Sequence, residues 1–218
     1  LQVSTRAWRI TLLILLFATT IPIVIAIAIA TQATATVLWH NFDDRWSINV
    51  GSIVGDEWQV PIISNSVGLA THQIEAADFS FQARMLSQDP NIATGLVINF
   101  QDQLNFTAFL ISGDGYMSLR EMRSGQWIDR VPWQTWPHVK RDGQANILRV
   151  ECRSDQCAFF VNDELTLPEN NLSAGKSMLV PLPGVAQIGL IAYSLTPPVS
   201  TASITFDQIL ATVPTVPR

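Results

Sequence analysis

Charge is scarce in this chain. Only 14% of its 218 residues are Asp, Glu, Lys or Arg, against about a quarter in an average soluble domain. With 48% hydrophobic residues, a disordered, solvating chain is excluded. Basic residues are the scarcer sign, 13 against 18 acidic for a net charge of −5. Reading a phosphate backbone needs clustered Lys and Arg, so nucleic acid is not an expected partner. Two cysteines and three histidines are too few for an iron–sulfur cluster or the common Cys/His zinc sites. No cofactor is expected.

What is present begins with one long apolar run. Ile10 to Ala30 holds 21 residues without a charge, about 31 Å as a helix, close to the thickness of a hydrocarbon core. Pro22 falls near its middle, where it would kink a membrane helix without forbidding it. Arg6 and Arg9 precede the run and no basic residue follows until Arg45, which predicts a cytoplasmic N-terminus and an exported remainder. A cleavable signal peptide ending at Ala26-Ile27-Ala28 or Ala28-Ile29-Ala30 is the competing reading. The run exceeds the usual signal core of about 7–15 residues, which favours a retained anchor. Trp8 and Trp39 flank the span and, with Arg6 and Arg9, are the expected membrane-interface residues.

The remainder reads as all-β. Residues 1–9 are assigned to the cytoplasm, 10–30 to the transmembrane helix, 31–39 to a small-residue linker, 40–213 to a β-sandwich and 214–218 to a tail. Phe79-Ser-Phe-Gln-Ala-Arg-Met85 alternates apolar with polar residues, and Leu96–Phe100 and Leu104–Ala108 do likewise. Ser112-Gly-Asp-Gly115 is a hairpin signal, because glycine reaches positive φ cheaply. About a dozen such strands call for two packed sheets.

Cys152 and Cys157 flank the loop Arg153-Ser-Asp-Gln156. If that loop closes a hairpin, Leu148 faces Val161, Val150 faces Phe159 and Cys152 faces Cys157, all on one face. The spacing points to a structural bridge, or to two buried thiols, rather than to a Cys-x-x-Cys redox pair.

Several segments in order carry a family resemblance: Asn41-Phe-Asp-Asp-Arg-Trp46, Asp78–Ala83, Thr94-Gly-Leu-Val-Ile-Asn-Phe100, Phe106–Tyr116, Gly125-Gln-Trp127, Gly143–Val150, Phe159-Phe-Val-Asn162, Ile188-Gly-Leu190 and Ile204-Thr-Phe-Asp207. Together they resemble the concanavalin A-like lectin/glucanase superfamily, in particular its laminin-G-like branch with the 3-keto-disaccharide hydrolase-like domains. The resemblance covers about residues 40–213 and implies a two-sheet jelly-roll sandwich. Its motifs are structural: strand starts, hairpin glycines and a closing Phe-Asp strand. Where the branch usually has Val-Asn-Gly, this chain has Val161-Asn162-Asp163, and Asp tolerates the left-handed turn at some cost.

Chemistry is thin. Glycosidases of this fold typically carry Glu-x-Asp-x-x-Glu on one strand, and the motif is missing here. The nearest carboxylate pairs, Glu75/Asp78 and Asp163/Glu164, read as loop and hairpin residues. His40, His72 and His138 read as surface or packing residues, and no Gly-x-Ser-x-Gly occurs. A calcium site, which laminin-G-like domains sometimes hold, would draw on Asp43, Asp44, Asp102, Asp114 or Asp207, but their spacing favours solvated loop carboxylates. Three indoles crowd Gly125–His138. Trp127 is assigned to the core, while Trp133 and Trp136, with His138, form the expected interaction surface.

The expectation from sequence is an all-β jelly roll behind one N-terminal transmembrane helix, at the plasma membrane with its domain extracytoplasmic. Its expected role is a non-catalytic accessory subunit of a membrane complex, with other membrane-protein subunits as partners and no enzymatic activity. The alternative is a cell-surface carbohydrate-binding or sugar-processing domain.

Overall fold

The computed structural model describes residues 35–62, 67–74, 76, 78–87, 89–153, 156–166, 178–179, 186–195 and 202–214. Arg6, Trp8, Arg9, the span 10–30 and the end of the tail lie outside them. Among the described residues no helix is long and apolar enough to cross a membrane. The compact unit is Val37–Val213.

The strands are β1 (Ala35–His40), β2 (Ser47–Ile48), β3 (Ser52–Val54), β4 (Glu57–Ile62), β5 (Val67–Ile74), β6 (Phe79–Ser87), β7 (Ile92–Asp102) and β8 (Asn105–Ser112). They continue as β9 (Tyr116–Arg123), β10 (Gln126–Thr135), β11 (Asn146–Arg153), β12 (Gln156–Val161), β13 (Glu164–Leu165), β14 (Met178–Leu179), β15 (Ala186–Ser194) and β16 (Ala202–Pro214). The stretch 31–39, read as a linker, enters β1 at Ala35, and Trp39 lies in that strand.

Two antiparallel sheets result. One runs β13-β12-β11-β6-β16-β4-β3, with β1 also on β16 and β14 on β12; the other runs β10-β9-β8-β7-β15-β5-β2. Strand β6 shows why they stack: Phe79, Phe81, Ala83 and Met85 are buried while Ser80, Gln82 and Arg84 turn away, the two-residue period of a half-buried strand. Between the sheets Trp58 stacks on Phe206 at 5.1 Å, and Phe109 of β8 meets Phe159 of β12 at 5.0 Å. Each fully buried aromatic of this kind contributes about 2–3 kcal/mol.

Local chemistry closes the hairpins as read from the sequence. Leu148, Val150 and Cys152 face Val161, Phe159 and Cys157, and the two cysteines form a disulfide on the buried face. The turn between β12 and β13 uses Asn162 (φ 51°) and Asp163 (φ 67°), so both central residues are left-handed, the backbone of a type I′ turn. Asn162 also accepts from Ile147 N–H at 2.9 Å and donates to the His138 carbonyl at 2.7 Å, tying the loop after β10 to the hairpin.

The second sheet curls strongly. Trp127 on β10 and Tyr193 on β15 are four strand steps apart, about 19 Å between backbones in a flat sheet. Their rings nevertheless stack at 5.4 Å. The outer face of this sheet is therefore concave. Gly95 on β7 and Gly189 on β15 sit on that face: a Cβ on Gly95 would lie 1.9 Å from the Phe109 carbonyl oxygen, and one on Gly189 2.2 Å from that of Ala70. Only glycine lets the backbones approach this closely on the crowded side. The motif glycines of the resemblance at these positions are mid-strand curvature devices rather than turn residues.

Candidate functional site

The hollow of the curled sheet holds a second apolar cluster, separate from the inter-sheet core. Ala93, Val97, Phe106, Ala108, Leu110, Met122 and Ile191 form its floor, and Phe100, Trp127 and Trp133 pack against it half-buried. These residues alternate with the core-facing ones: Val97 lies outward between Leu96 and Ile98.

Trp127 is held from several sides. Phe106 meets it edge-on at 5.6 Å, Tyr193 stacks on it, and the Arg120 guanidinium lies 4.9 Å from the ring centroid. Arg120 in turn donates to Tyr193 Oη at 3.2 Å and to Asp129 Oδ1 at 2.6 Å. Arg120 and Asp129 face each other in the hairpin register, as do Met122 and Trp127. Burial opposes the Arg120 charge, but the bonds to Tyr193 and Asp129 outweigh it and the net shift is upward. Burial pushes the Tyr193 phenol up despite the nearby guanidinium. Arg120 thus ties the Tyr193 phenol and Asp129 together while lying over one indole. Asp129 keeps its side chain 43% exposed.

Strand β10 is irregular, with register shifts between Asp129 and Val131 and between Val131 and Gln134. Ser118 Oγ donates to the Val131 carbonyl at 2.8 Å, between the two shifts. Trp133 returns to the concave side, while Trp136 packs against the inter-sheet core. Trp136 Nε1 is buried and has no hydrogen-bond partner among the described residues. His138 is exposed, its ring 5.8 Å from Trp136. The structure thus brings Trp136 and His138 together and sets Trp133 elsewhere, packed like Trp127 against the second apolar cluster.

The other candidates are dispersed. His72 is buried at the end of the inter-sheet core, its Nδ1 2.7 Å from the Gln73 carbonyl oxygen and its Nε2 3.5 Å from Asp43 Oδ1. Burial lowers its pKa against the pull of Asp43. Asp43 also bonds Arg45, Asp102 caps its hairpin at Leu104 N–H and Asn105, Asp114 accepts from Ser112, and Asp207 pairs with Arg84. Among the described residues no three His, Cys, Asp or Glu side chains gather as a metal site. Asp163 and Glu164 are exposed on their hairpin.

No family model and no curated protein matches the chain. Solved structures do. A carbohydrate-binding module from Bacillus subtilis is 14% identical over 77% of this chain and 94% of that one, with a TM-score of 0.55. The catalytic domain of an endo-1,3-beta-glucanase (laminarinase) from Thermotoga petrophila is 11% identical over 84% and 100%, with a TM-score of 0.54. The kappa-carrageenase of Pseudoalteromonas carrageenovora is 10% identical over 84% and 96%, with a TM-score of 0.56. The fold is the concanavalin A-like jelly roll.

That finding corrects the functional expectation. The accessory-subunit reading rested on the span 10–30 and on nothing in the sandwich. The folds this jelly roll shares are those of glycoside hydrolases and carbohydrate-binding modules, which favours the sugar-binding or sugar-processing alternative. Nor do these neighbours support the expectation of no enzymatic activity, since several are hydrolases. Sequence reasoning also missed Arg120, Asp129 and Tyr193. The hairpin Arg123-Ser-Gly-Gln126 held a signal for the first two, because it sets Arg120 opposite Asp129.

Proposed function

We propose that the jelly roll is a carbohydrate-binding domain whose site is the concave face of the curled sheet. The observation that carries this reading is the pair of half-exposed indoles, Trp127 and Trp133, on that face beside the exposed carboxylate of Asp129. A flat aromatic takes the apolar C–H face of a sugar ring, and a carboxylate accepts from its hydroxyls. Trp127 is braced by Phe106, Tyr193 and Arg120, so little side-chain freedom is lost when a ring settles on it. The likeness in fold to a carbohydrate-binding module and to two polysaccharide hydrolases supports the same reading.

Binding is favoured over hydrolysis by the carboxylates of the sheet. Glycoside hydrolysis needs two carboxyl groups about 5–10 Å apart across the scissile bond. On the strands of this sheet Asp129 lies on the concave face and is already paired with Arg120. Glu121 belongs to the opposite parity, bound by Arg123 and Arg130, and Asp102 caps a hairpin.

The proposal includes a tether: residues 10–30 cross the plasma membrane once, with 1–9 cytoplasmic and the domain outside, as Arg6, Arg9 and the uncharged outer flank imply. Protease added to intact cells should digest the domain; complete protection overturns the tether without touching the sugar site. The site is tested with the full chain on a panel of laminarin, mixed-linkage β-glucan and κ-carrageenan with their oligosaccharides. Saturable binding that weakens about tenfold or more in Trp127→Ala or Trp133→Ala is expected, without release of reducing ends. Unchanged binding in both variants places the site elsewhere.

A further inference from the structure

A sheet edge leaves backbone N–H and C=O groups without partners, and proteins blunt such edges with charge, proline, bulges or brevity. Most edge strands described here follow that rule. β10 carries Asp129, Arg130, Pro132 and two register shifts, while β2, β3, β13 and β14 are two or three residues long. Strand β1 does not. Among the described strands it pairs with β16 alone, and its six residues, Ala-Thr-Val-Leu-Trp-His, include no acidic residue, lysine, arginine or proline. Val37 is 55% exposed and Leu38 39%. Neighbouring residues of a strand point to opposite faces, so neither face of β1 is covered there. Asn41 N–H bonds the Ile209 carbonyl at 2.8 Å. By the two-residue period, His40 and Leu38 then turn their N–H and C=O groups away from β16, along the free side.

We propose that β1 pairs antiparallel with β1 of a second copy of this chain, joining the first sheets of two molecules. The strand offers no charge by which to select a different partner, whereas antiparallel pairing of identical strands is self-complementary and closes as a two-fold dimer. Its place in the chain supplies the rest. β1 begins at Ala35, five residues past the end of the apolar span at Ala30, a reach of at most about 17 Å. The inference rests on the proposed tether and not on the sugar site. With the span in a membrane, every copy carries β1 near one height above it. A six-residue ladder falls short of the roughly 1,000 Å² that holds a stable interface in solution, and confinement to one plane offsets the shortfall.

The native cysteines are bridged to each other and leave no free thiol, so an added cysteine reports the contact. Val37→Cys, Leu38→Cys and His40→Cys are placed one at a time in the full chain, in cell membranes under mild oxidation. At least one should give a disulfide-linked dimer, at about ten times or more the yield of two controls. These are Leu104→Cys in the second sheet and Leu165→Cys on β13, at positions 56% and 45% exposed. Leu38→Pro removes an outward N–H and spares the groups that face β16. Combined with Val37→Cys or His40→Cys, it should lower the dimer yield about tenfold or more. Leu38→Lys keeps every backbone group, adds an edge charge and should do the same, with near-ultraviolet dichroism unchanged as the sign that the sandwich is intact. Yields no higher than at Leu104 and Leu165, or a ladder of higher oligomers, overturn the two-fold pairing. A domain that resists external protease overturns the tether and this inference with it; a digestible domain without β1 cross-links overturns the pairing alone.

Discussion

Gly95→Ala puts the curvature of the second sheet to a quantitative test. A Cβ at this position would lie 1.9 Å from the Phe109 carbonyl oxygen, whereas real Cβ atoms keep at least 3.0 Å. Strands β7 and β8 must therefore part locally by about 1.1 Å, enough to take a ladder bond of about 2.9 Å out of range. Two flanking bonds at about 1 kcal/mol each, added to about 1–3 kcal/mol of overpacking, give a loss of about 3–5 kcal/mol. For a domain of this size that lowers the melting temperature by about 6–20 °C. The loss should come with flattening: near-ultraviolet dichroism from the Trp127–Tyr193 stack weakens while the far-ultraviolet β signal persists. Gly55→Ala is the control, since its Cβ meets nothing within 4 Å and its φ of +63° alone is strained, worth about 1 kcal/mol. Thermal and denaturant unfolding of the two variants side by side is the assay. If Gly95→Ala costs no more than Gly55→Ala, the close approach is not what holds the curl.

Other outcomes follow from the same structure. His72 has its pKa lowered by burial from an ordinary 6.5, so the unfolded chain takes up its proton first. Its contribution is complete above pH 6.5 and is lost as pH falls below that toward the folded-state value; unfolding titrations should show this slope in the parent and not in His72→Gln. Cys152 and Cys157 should take no alkylating label under non-reducing denaturing conditions and two labels after reduction, read by intact mass; two labels without reductant contradict the bridge. Asn162→Ala removes bonds to Ile147 and His138 and the left-handed turn residue. A loss of about 2–4 kcal/mol by denaturant titration is expected, and less than 1 kcal/mol would deny the hub.

Much of the fold was legible because its signals are local. Period-two alternation marks β6, whereas β7 and β8, expected to alternate, are buried on both faces, and hairpin chemistry sets the register that brings Cys152 to Cys157 and the left-handed pair Asn162–Asp163. The site was less legible. Grouping Trp133 with Trp136 overlooked that β10 ends at Thr135, so that Trp136 leaves the strand and packs against the inter-sheet core while Trp133 stays on the second apolar cluster. Tyr193 was out of reach in principle: it meets Arg120 across 73 residues of chain. That contact depends on the curl, which depends on Gly95 and Gly189, and no short-range pattern encodes a sheet folding over its own diagonal.

The central claim is that the concave face binds sugar through Trp127 and Trp133. Isothermal titration of the full chain with laminarin oligosaccharides, in parallel with Trp127→Ala, Trp133→Ala and the opposite-face control Trp136→Phe, addresses it most directly. Saturable binding that survives in Trp136→Phe and falls about tenfold or more in the other two is the expected result. Binding that is lost in Trp136→Phe and intact in Trp127→Ala and Trp133→Ala would contradict the account.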